Sequence, residues 1–372
     1  MRIRASLPAQ TPHCCHILTV FPRFAVGGAQ TRYAALANGF GKAARHTIIS
    51  LNGERGAAQK IAAGIVLEFA PAPPRAAMPL AIARAVRAIR RINPDIVLTS
   101  NWGAIEWAIA ARIAGVRHVH SEDGFGPEER ETQIARRVWL RRLALRGARL
   151  VVPSRKLQTL ARQVWRLDAR DCVYIPNGID LARFGLATPA KLPWSGGCVI
   201  GTIAALRAEK NLGRLLKAFA LVRQGLAAKL VIVGDGPDRG RLEEQARALG
   251  ITDEVLFAGY SAMPEAWHRA FDVFALSSDT EQMPLGVLEA MAAGKPVVST
   301  DVGDVRDMVS EENKGLVTAL TVPALAAALR EMLVDPERAA RIGASNRARA
   351  VTEYDERKMI EVWSEILRIP RS

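Results

Sequence analysis

The chain has 372 residues, of which 49% are hydrophobic and 24% are charged, a composition typical of a soluble globular protein with room for two full-sized cores. No run approaches 18 uncharged apolar residues, so no transmembrane helix is predicted, and the four cysteines lack the spacing of a zinc site or a disulfide framework. The net charge of +14 is uneven, because residues 1–190 carry 28 Lys and Arg against 12 Asp and Glu, whereas residues 191–372 carry 23 against 25.

The first half of the chain alternates short apolar runs with stretches of helical periodicity. The apolar runs, some with the turn that follows them, predict strands at 16–21, 47–51, 65–69, 94–99, 116–124, 148–154 and 172–175. The periodic stretches predict helices at 31–40, 80–92 and 105–114. Strands that alternate with helices over short connections favour a parallel, doubly wound sheet.

Two of the loops that follow these strands carry residues suited to a ligand. Gly27 and Gly28 separate the first strand from its helix, and glycines there let a ligand approach the backbone; a plain tight turn is the alternative. His120, Glu122 and Asp123 follow the strand that begins at residue 116. They are therefore predicted at the carboxyl edge of the sheet, where open α/β sheets bind ligands. A strand histidine satisfied by the backbone is the alternative for His120.

The segment 128–149 contains seven arginines interleaved with apolar residues. Arginine together with Trp139 is typical of a segment that docks on an anionic membrane surface. A core helix with a solvated basic face is the alternative that the pattern leaves open.

The second half repeats the alternation after a linker rich in Pro and Gly at 186–197. Strands, again with some of their turns, are predicted at 198–203, 229–236, 255–260, 272–277 and 296–300. Helices are predicted up to residue 222, at 237–249, 263–270, 285–293 and 355–367, with a long helical region at 322–350. The pattern favours a second doubly wound sheet.

One glutamate lies on the helix predicted at 285–293 and another lies in the loop before it. Glu289 shares a face with Leu285 and Leu288, the apolar stripe that points inward, so its carboxylate needs a hydrogen-bonding partner. No cation within that helix can serve, which favours a polar ligand. Glu281 precedes the helix N-terminus, where N–H groups and the helix dipole favour an anion such as phosphate. A buried helix with one paired glutamate is the bland alternative.

This pair, with seven residues between its members, resembles the E-x7-E signature of the retaining, nucleotide-sugar-dependent glycosyltransferases of group 1. The resemblance implies an α/β fold of two facing Rossmann-like, doubly wound domains, called GT-B. It implies an acceptor-binding domain at 1–187, onto which the C-terminal helix at 355–372 packs back, and a donor-binding domain at 188–354. The turn Pro-Asn-Gly-Ile-Asp at 176–180 is similar to the turn that ends the family's first domain.

The resemblance also implies roles for residues at the site. Glu281 approaches the transferred sugar, Lys210 stabilises the leaving diphosphate, and His120 faces sugar and acceptor. Glu289 accepts hydrogen bonds from the ribose. The other donor-side positions are Gly28, Arg207, Gly259, Tyr260, Gln282, Met283, Leu285 and Gly286. The acceptor-side positions are Gly27, Gln30, Glu122 and Asp123.

Two positions depart from the family's pattern. Gln30 stands where Glu is frequent, so a role that depends on charge does not carry over to it. Ala205 stands where the family usually has an Arg five residues before its Lys. Either Arg207 supplies the second cation or the site relies on Lys210 and a helix N-terminus.

The activity implied is the transfer of a hexose from a UDP- or GDP-sugar to a saccharide or lipid-linked acceptor, with retained configuration, in cell-surface polysaccharide or lipopolysaccharide synthesis. The donor is a substrate, and no cofactor is expected. The sequence contains no Asp-x-Asp pair and no His/Cys/carboxylate cluster with ligand spacing, which predicts a metal-independent reaction. An epimerase or hydrolase of nucleotide sugars on the same fold is the alternative enzyme.

Charge and cysteine usage bear on location and partners. Unpaired cysteines fit a reducing, cytoplasmic setting, and the first 24 residues lack the long apolar core of a signal peptide. The basic first half suggests an anionic partner, with a membrane surface, an anionic or lipid-diphosphate acceptor and a nucleic acid as candidates. No groove-reading helix or pattern of stacking aromatic residues supports nucleic acid. We therefore expect peripheral contact with the inner face of the cytoplasmic membrane and no nucleic-acid partner.

Overall fold

Two separate parallel sheets organise the chain in a computed structural model that describes residues 14–125, 129 and 132–370. The first sheet consists of β1 (Cys15–Phe21), β2 (Ala44–Ser50), β3 (Leu67–Phe69), β4 (Ile96–Ser100), β5 (Arg117–Ser121), β6 (Arg149–Val152) and β7 (Cys172–Tyr174). Their order is β3-β2-β1-β4-β5-β6-β7. Ile17 and Leu18 on β1 enter hydrophobic clusters on opposite faces, as expected of a sheet covered on both sides.

The second sheet has the same construction. It consists of β8 (Cys198–Ile203), β9 (Ala228–Val233), β10 (Val255–Gly259), β11 (Val273–Leu276), β12 (Val297–Thr300) and β13 (Val317–Thr318). Their order is β10-β9-β8-β11-β12-β13. Val199 and Ile200 on β8 again contribute to clusters on opposite faces. The prediction of an α/β fold with two doubly wound sheets is confirmed.

Helices cover both sheets. In the first half they are α1 (Gly28–Phe40), α2 (Met78–Ile92), α3 (Ile105–Ala114), α4 (Ala135–Ala144), α5 (Arg155–Gln163) and α6 (Leu181–Leu186). In the second half they are α7 (Leu212–Val222), α8 (Arg239–Ala248), α9 (Pro264–Ala270), α10 (Leu285–Ala292), α11 (Val305–Met308), α12 (Val322–Val334), α13 (Pro336–Glu353) and α14 (Glu356–Leu367).

The strand order places a crevice at the carboxyl edge of each sheet. In the first sheet the chain turns to opposite sides after β1 and β4, which are neighbours, and in the second sheet after β8 and β11. Loops that leave such neighbouring strands in opposite directions open the crevice in which doubly wound sheets bind ligands. The loops after β1 and β4 and those after β8 and β11 are therefore the parts of the fold that can form a site.

Some predicted helices differ from those observed. The helical region predicted at 322–350 is two helices, because Pro336 cannot continue α12 and the Asp335 side chain caps α13 by accepting from the Arg338 N–H at 2.9 Å. Within the predicted basic segment 128–149, Ala135–Ala144 forms an α-helix, and residues 128, 130 and 131 lie outside the described residues. Helices α5 and α6 were not predicted, although Ser154 and Asp180 cap them.

The C-terminal helix α14 lies against the first sheet. Met359, Trp363 and Leu367 are buried in the same cluster as β1 and α1 residues. Gly39 on α1 makes the approach close, since a Cβ there would lie 2.6 Å from Ile360 Cδ1. Helix α6 instead contributes Phe184 to a cluster of the second sheet. The domain boundary between residues 187 and 188 stays a prediction.

In the part of the chain that the structure describes, no helix combines the length and the apolar character needed to cross a bilayer.

Candidate active site

The crevice of the second sheet is built by loops that pack backbone against backbone. Gly234, which follows β9, has φ +133° and lies so close to the Ala204 carbonyl oxygen that any Cβ would overlap it. The Ala204 N–H donates to Val233 O at 3.0 Å, and the Leu206 N–H donates to Asp235 O at 3.0 Å. The glycine thus holds the loop after β8 in the position from which Lys210 reaches the crevice.

Lys210 and Glu281 meet in that crevice. Lys210 Nζ donates to Glu281 Oε1 at 2.5 Å, and the Ser278 hydroxyl donates to the same oxygen at 2.8 Å. Their side chains keep 24% and 12% of their surface exposed, so the pair lines an opening rather than a core. The structure therefore brings together two of the predicted site residues, which lie 71 positions apart in sequence.

The backbone around this pair is fixed by several further bonds. Arg214 on α7 donates to Ser277 O at 2.7 Å and to the Asp279 carboxylate at 2.6 Å. Asn211, which caps α7, donates to the same carboxylate at 3.0 Å, and the Asp279 N–H donates to Glu209 O at 2.9 Å. The loops after β8 and β11 are thereby joined, so Lys210 and Glu281 are presented by a single braced surface.

Glu289 has a partner that the sequence did not reveal. On α10, its Oε2 accepts from His268 Nε2 on α9 at 3.1 Å. His268 is fully buried among Phe184, Phe271 and Phe274, whereas 15% of the Glu289 side chain stays exposed. The predicted need of Glu289 for a partner is met within the protein for one oxygen, and the imidazole fixes the orientation of the carboxylate.

The loop that leads into α10 contacts residues of the first half of the chain. Ser154 Oγ donates to Gln282 Oε1 at 3.0 Å, and Asn177 Nδ2 donates to Met283 O at 3.0 Å. Gly28 lies opposite Leu285, whose Cδ1 would be 3.9 Å from a Cβ on the glycine. The predicted donor-side positions 282–285 and Gly28 thus lie together at the cleft between the sheets.

Asp304 from the loop after β12 closes the same side. Its carboxylate accepts from the N–H groups of Arg155 at 2.5 Å and Lys156 at 3.1 Å, at the N-terminus of α5. Its own N–H donates to Gln282 O at 2.8 Å. Burial raises the pKa of the Asp304 carboxyl, and the two N–H donors oppose that rise. Asp304 therefore connects a first-half helix to the loop 282–286.

The remaining donor-side positions are more open. Arg207 is 40% exposed with Nη1 4.0 Å from Glu209 Oε1. Gly259 has φ +74° at the end of β10, and Tyr260 beside it is 57% exposed. Gly286, at the start of α10, packs so that a Cβ would lie 3.2 Å from Phe274 Cζ. The possibility that Arg207 supplies the cation missing at Ala205 therefore stays open.

His118 and His120 on β5 and Glu122 just after it form a buried cluster. The Thr99 hydroxyl is hydrogen-bonded to His118 Nε2 at 2.8 Å and to His120 Nδ1 at 2.7 Å. His120 Nε2 lies 3.6 Å from Glu122 Oε2, which lies 3.6 Å from Arg141 Nε. Burial lowers the pKa of His118 to about 3, and its neighbour His120 adds to that shift.

This cluster corrects two predictions. The predicted sugar-facing role of His120 and the acceptor-side role of Glu122 both require side chains open to a substrate, but both are fully buried. The alternation of β5 places His118 and His120 on one face, and Glu122 just after the strand faces Arg141, whose guanidinium lies over the rings of Trp102, Phe125 and Trp165. The side chains of His120 and Glu122 therefore lie in the interior of the first half and not on the cleft.

The other acceptor-side positions lie at the carboxyl edge of the first sheet. Asp123 is paired with Arg32 on α1, and 15% of its side chain is exposed. Gln30 donates through Nε2 to Arg23 O at 3.0 Å, which ties the turn that contains Gly27 to the helix that follows. Among the residues the structure describes, no group of three or more His, Cys, Asp or Glu could hold a metal ion. Metal independence stays a prediction.

Two family models divide the chain between them. The model described as "Glycosyltransferase Family 4" matches residues 26–183, and the model described as "Glycosyl transferases group 1" matches residues 189–349. The chain belongs to the group 1 glycosyltransferases. Their predicted GT-B fold is also confirmed, since the structure of the Anabaena protein HepE in complex with UDP-glucose superposes with a TM-score of 0.80 at 22% identity over 95% of this chain and 99% of that one.

Sequence relatives of this group 1 glycosyltransferase match a shorter part of it. The putative glycosyltransferase EpsF of Bacillus subtilis is 32% identical over 233 residues, 58% of each chain. A GDP-mannose-dependent α-(1-6)-phosphatidylinositol monomannoside mannosyltransferase of Mycobacterium tuberculosis is 32% identical over 191 residues, 47% of this chain and 50% of the relative. The chain spans about half the length of the curated relatives it matches.

Several residues that shape the site of this group 1 glycosyltransferase escaped the sequence reasoning. His268 and Arg32 carry no local pattern, and the turn that contains Asn177 was predicted without its contact to Met283, because each of these residues acts on a residue distant in sequence. Asp304 follows a predicted strand, and its place at a carboxyl edge was the one available signal. The group at the crevice can stabilise developing negative charge with the Lys210 ammonium and accept hydrogen bonds from hydroxyl groups with Glu281 and Glu289.

Proposed function

We propose that this protein transfers a hexose from a UDP- or GDP-sugar to a saccharide or lipid-linked acceptor, with retention of configuration, in the synthesis of a cell-surface polysaccharide or glycolipid. The observation that carries the proposal is the Lys210–Glu281 pair at the crevice of the second sheet. Two similar proteins support the donor class, since one acts with GDP-mannose and the other was crystallised with UDP-glucose.

In the proposed reaction each residue has a separate task. The Lys210 ammonium neutralises the charge that develops on the departing nucleoside diphosphate. The Glu289 oxygen left free by His268 accepts hydrogen bonds from the ribose hydroxyls, and N–H groups of the loop 282–286 at the start of α10 face the diphosphate. Glu281 orients the transferred sugar. The leaving oxygen and the acceptor hydroxyl meet the same face of the sugar, so no covalent carboxylate intermediate is needed and no cofactor or metal takes part.

Product analysis tests this proposal. Thermal-shift screening of UDP-, GDP- and ADP-sugars identifies the donor, because a ligand that binds the native state raises the melting temperature. The purified protein is then incubated with that donor, with and without saccharide acceptors, and the anomeric configuration of the product is determined by NMR. We expect a new glycosidic bond with the donor's configuration. An altered sugar nucleotide without acceptor would indicate an epimerase, and an inverted product would contradict retention.

The basic first half has a surface that suits the proposed membrane contact. Trp139 and Leu143 on α4 are 63% and 43% exposed, and Arg136 lies on the same helix face. Arg112 on α3 donates to Leu143 O at 2.9 Å, and the residue after it, Ile113, is also exposed. Apolar side chains ringed by arginines fit the boundary between acyl chains and anionic headgroups.

Vesicle sedimentation tests this contact. We expect binding to vesicles that contain phosphatidylglycerol, weaker binding to neutral vesicles, and loss of binding in the Trp139→Ser variant. The Leu186→Ser variant is the control, because Leu186 is also exposed but lies on α6. Equal sedimentation of the Trp139→Ser variant and the parent would contradict the proposed surface.

A further inference from the structure

Arg32 is a buried arginine at the centre of the first half, on α1 shortly after the glycine turn. It is 6% exposed. Its two terminal nitrogens grip the carboxylate of Asp123 as a fork, with Nη1 on Oδ1 and Nη2 on Oδ2 at 2.9 Å. Nη2 also donates to Ser121 Oγ at 2.6 Å. This geometry fixes the plane of the Asp123 carboxylate, because a guanidinium fork matches a carboxylate in one orientation.

The same guanidinium reaches toward the second sheet. Arg32 Nη1 donates to Asn177 Oδ1 at 3.1 Å, and Asn177 Nδ2 donates to Met283 O at 3.0 Å. Asn177 is 7% exposed, so both bonds are shielded from competing water. One amide side chain therefore links an arginine of the first half to the backbone of the loop 282–286.

The two ends of this chain of bonds are the predicted acceptor side and the predicted donor loop. At the first end, the Asp123 N–H donates to Asn101 Oδ1 at 2.7 Å, so the backbone and the side chain of Asp123 are both held. At the second end, Met283 lies two residues after Glu281 and precedes Pro284, the N-cap of α10. The position of its carbonyl sets the direction in which the chain passes from Glu281 into the helix that carries Glu289.

We propose that Arg32 is a positioning residue that sets the acceptor-side carboxylate Asp123 and, through Asn177, the donor loop at Met283 in a fixed relation across the cleft. The inference rests on the proposed function, because it assumes that the acceptor binds beside Asp123 and the donor beside the loop 282–286. With both oxygens engaged by Arg32, Asp123 orients an acceptor and does not remove its proton.

The size of the effect follows from the geometry of group transfer. A displacement of ~1 Å between reacting groups costs a rate factor on the order of 10². In the Arg32→Lys variant the charge is kept, but a single ammonium cannot hold Asp123 and Asn177 together. The Asn177→Asp variant keeps an acceptor for Arg32 but replaces the Nδ2–H donor to Met283 O with a carboxylate oxygen, which the carbonyl repels. Both variants keep the side chains of Lys210, Glu281 and Glu289, so nucleotide binding should weaken much less than turnover.

Arg117→Lys is the matched control. Arg117 begins β5, the strand that ends in Ser121, and donates to Leu367 O on α14 at 2.7 Å. Arg117 is thus a partly buried arginine of the same half of the chain, at the amino end of a strand whose carboxyl end lies near Arg32. We expect Arg32→Lys to lower kcat for transfer by about 10-fold or more, with the nucleotide Kd within about 3-fold of the parent. The Arg117→Lys variant should keep the parental kcat.

A second measurement does not depend on activity. Hydrogen exchange of the peptide segment 281–288 should be faster in Arg32→Lys and in Asn177→Asp than in the parent, and unchanged in Arg117→Lys, although Arg32 and the segment lie in different halves of the chain. Parental kcat in Arg32→Lys, an equal loss in Arg117→Lys, or unchanged exchange at 281–288 would each overturn the inference. If the parent transferred no sugar, the proposed function would fail, and the exchange data would still decide whether Arg32 holds the loop.

Discussion

Lys210 and Glu281, which follow β8 and β11, keep 24% and 12% of their side chains exposed, whereas His120 on β5 and Glu122 just after it are fully buried. Both pairs combine a basic and an acidic side chain near the carboxyl edge of a sheet. They differ because His120 lies within its strand and Glu122 faces Arg141 of α4, while Lys210 and Glu281 stand on loops that border the crevice. A polar residue inside a strand is therefore weaker evidence of a site than one on the loop that follows.

The largest effects are expected for Lys210 and Glu281, which stand on loops at the crevice. We expect Lys210→Ala and Glu281→Ala to lower kcat by about 10²–10³-fold, because each removes a group aimed at charge or orientation in the transition state. Steady-state kinetics with the identified donor measures the loss. Lys217→Ala is the control, since Lys217 is an exposed lysine on the same helix that follows Lys210. Turnover of either variant within twofold of the parent would remove the functional difference between the two edges.

Substitution of His268, the partner of Glu289, should have a smaller effect, on donor affinity. His268→Phe keeps an aromatic side chain among Phe184, Phe271 and Phe274 but removes the N–H that orients the Glu289 carboxylate. We expect the donor Kd to rise by about 10-fold, the cost of losing a hydrogen bond to a charged group. Calorimetric titration measures it, with the unfolding temperature as the control for folding. An unchanged Kd in a well-folded variant would show that the imidazole does not set the carboxylate.

For the buried His120 we expect a loss of stability without a loss of turnover. His120→Gln removes the bond from Nδ1 to Thr99 and leaves buried polar groups unsatisfied, so it should lower the free energy of unfolding by about 1–3 kcal/mol. Because the imidazole does not reach the cleft, kcat per folded molecule should change less than threefold. Urea unfolding and kinetics on the same preparation separate the two effects. A loss of turnover comparable with that of Lys210→Ala would restore His120 to the catalytic site.

Acid stability should also distinguish the two halves. Burial lowers the pKa of His46 to about 4 and that of His118 to about 3, and both lie in the first sheet. The native state then binds fewer protons than the unfolded chain between those values and 6.5, so stability is retained above pH 6.5 and falls as the pH decreases below it.

At pH 5 the loss is on the order of 2 kcal/mol for each buried histidine. We therefore expect hydrogen exchange at pH 5 to accelerate in the first half before the second, and the His118→Gln variant to lose less stability between pH 7.5 and pH 5 than the parent. Equal acid sensitivity of the two halves would be contrary to this expectation.

What the sequence could predict follows from the range of the interactions involved. The run 230–233 is apolar throughout because both faces of the strand are buried, and the Glu281–Glu289 spacing is local to one loop and one helix, so both could be predicted without a structure. The pairing of Arg32 with Asp123 joins residues 91 positions apart, and that of Asp304 with Arg155 joins residues 149 positions apart. Such pairs depend on how loops close over two sheets, which no local pattern records.

The burial of His120 illustrates the same limit. Its position at a strand end was predicted, but the side of the strand that faces α4 and Arg141 is decided by packing between elements. The sequence therefore located the edge of the sheet and not the environment of the side chain.

The contact between Glu289 and the ribose of the donor is the central feature of the proposed site. Isothermal titration of the parent and of Glu289→Ala with the donor identified by thermal shift measures this one contact. We predict that the variant, folded to the same extent, binds the nucleotide sugar at least about 10-fold more weakly, the loss of roughly one charge-assisted hydrogen bond. Equal dissociation constants for the two proteins would contradict the placement of the donor in the crevice of the second sheet.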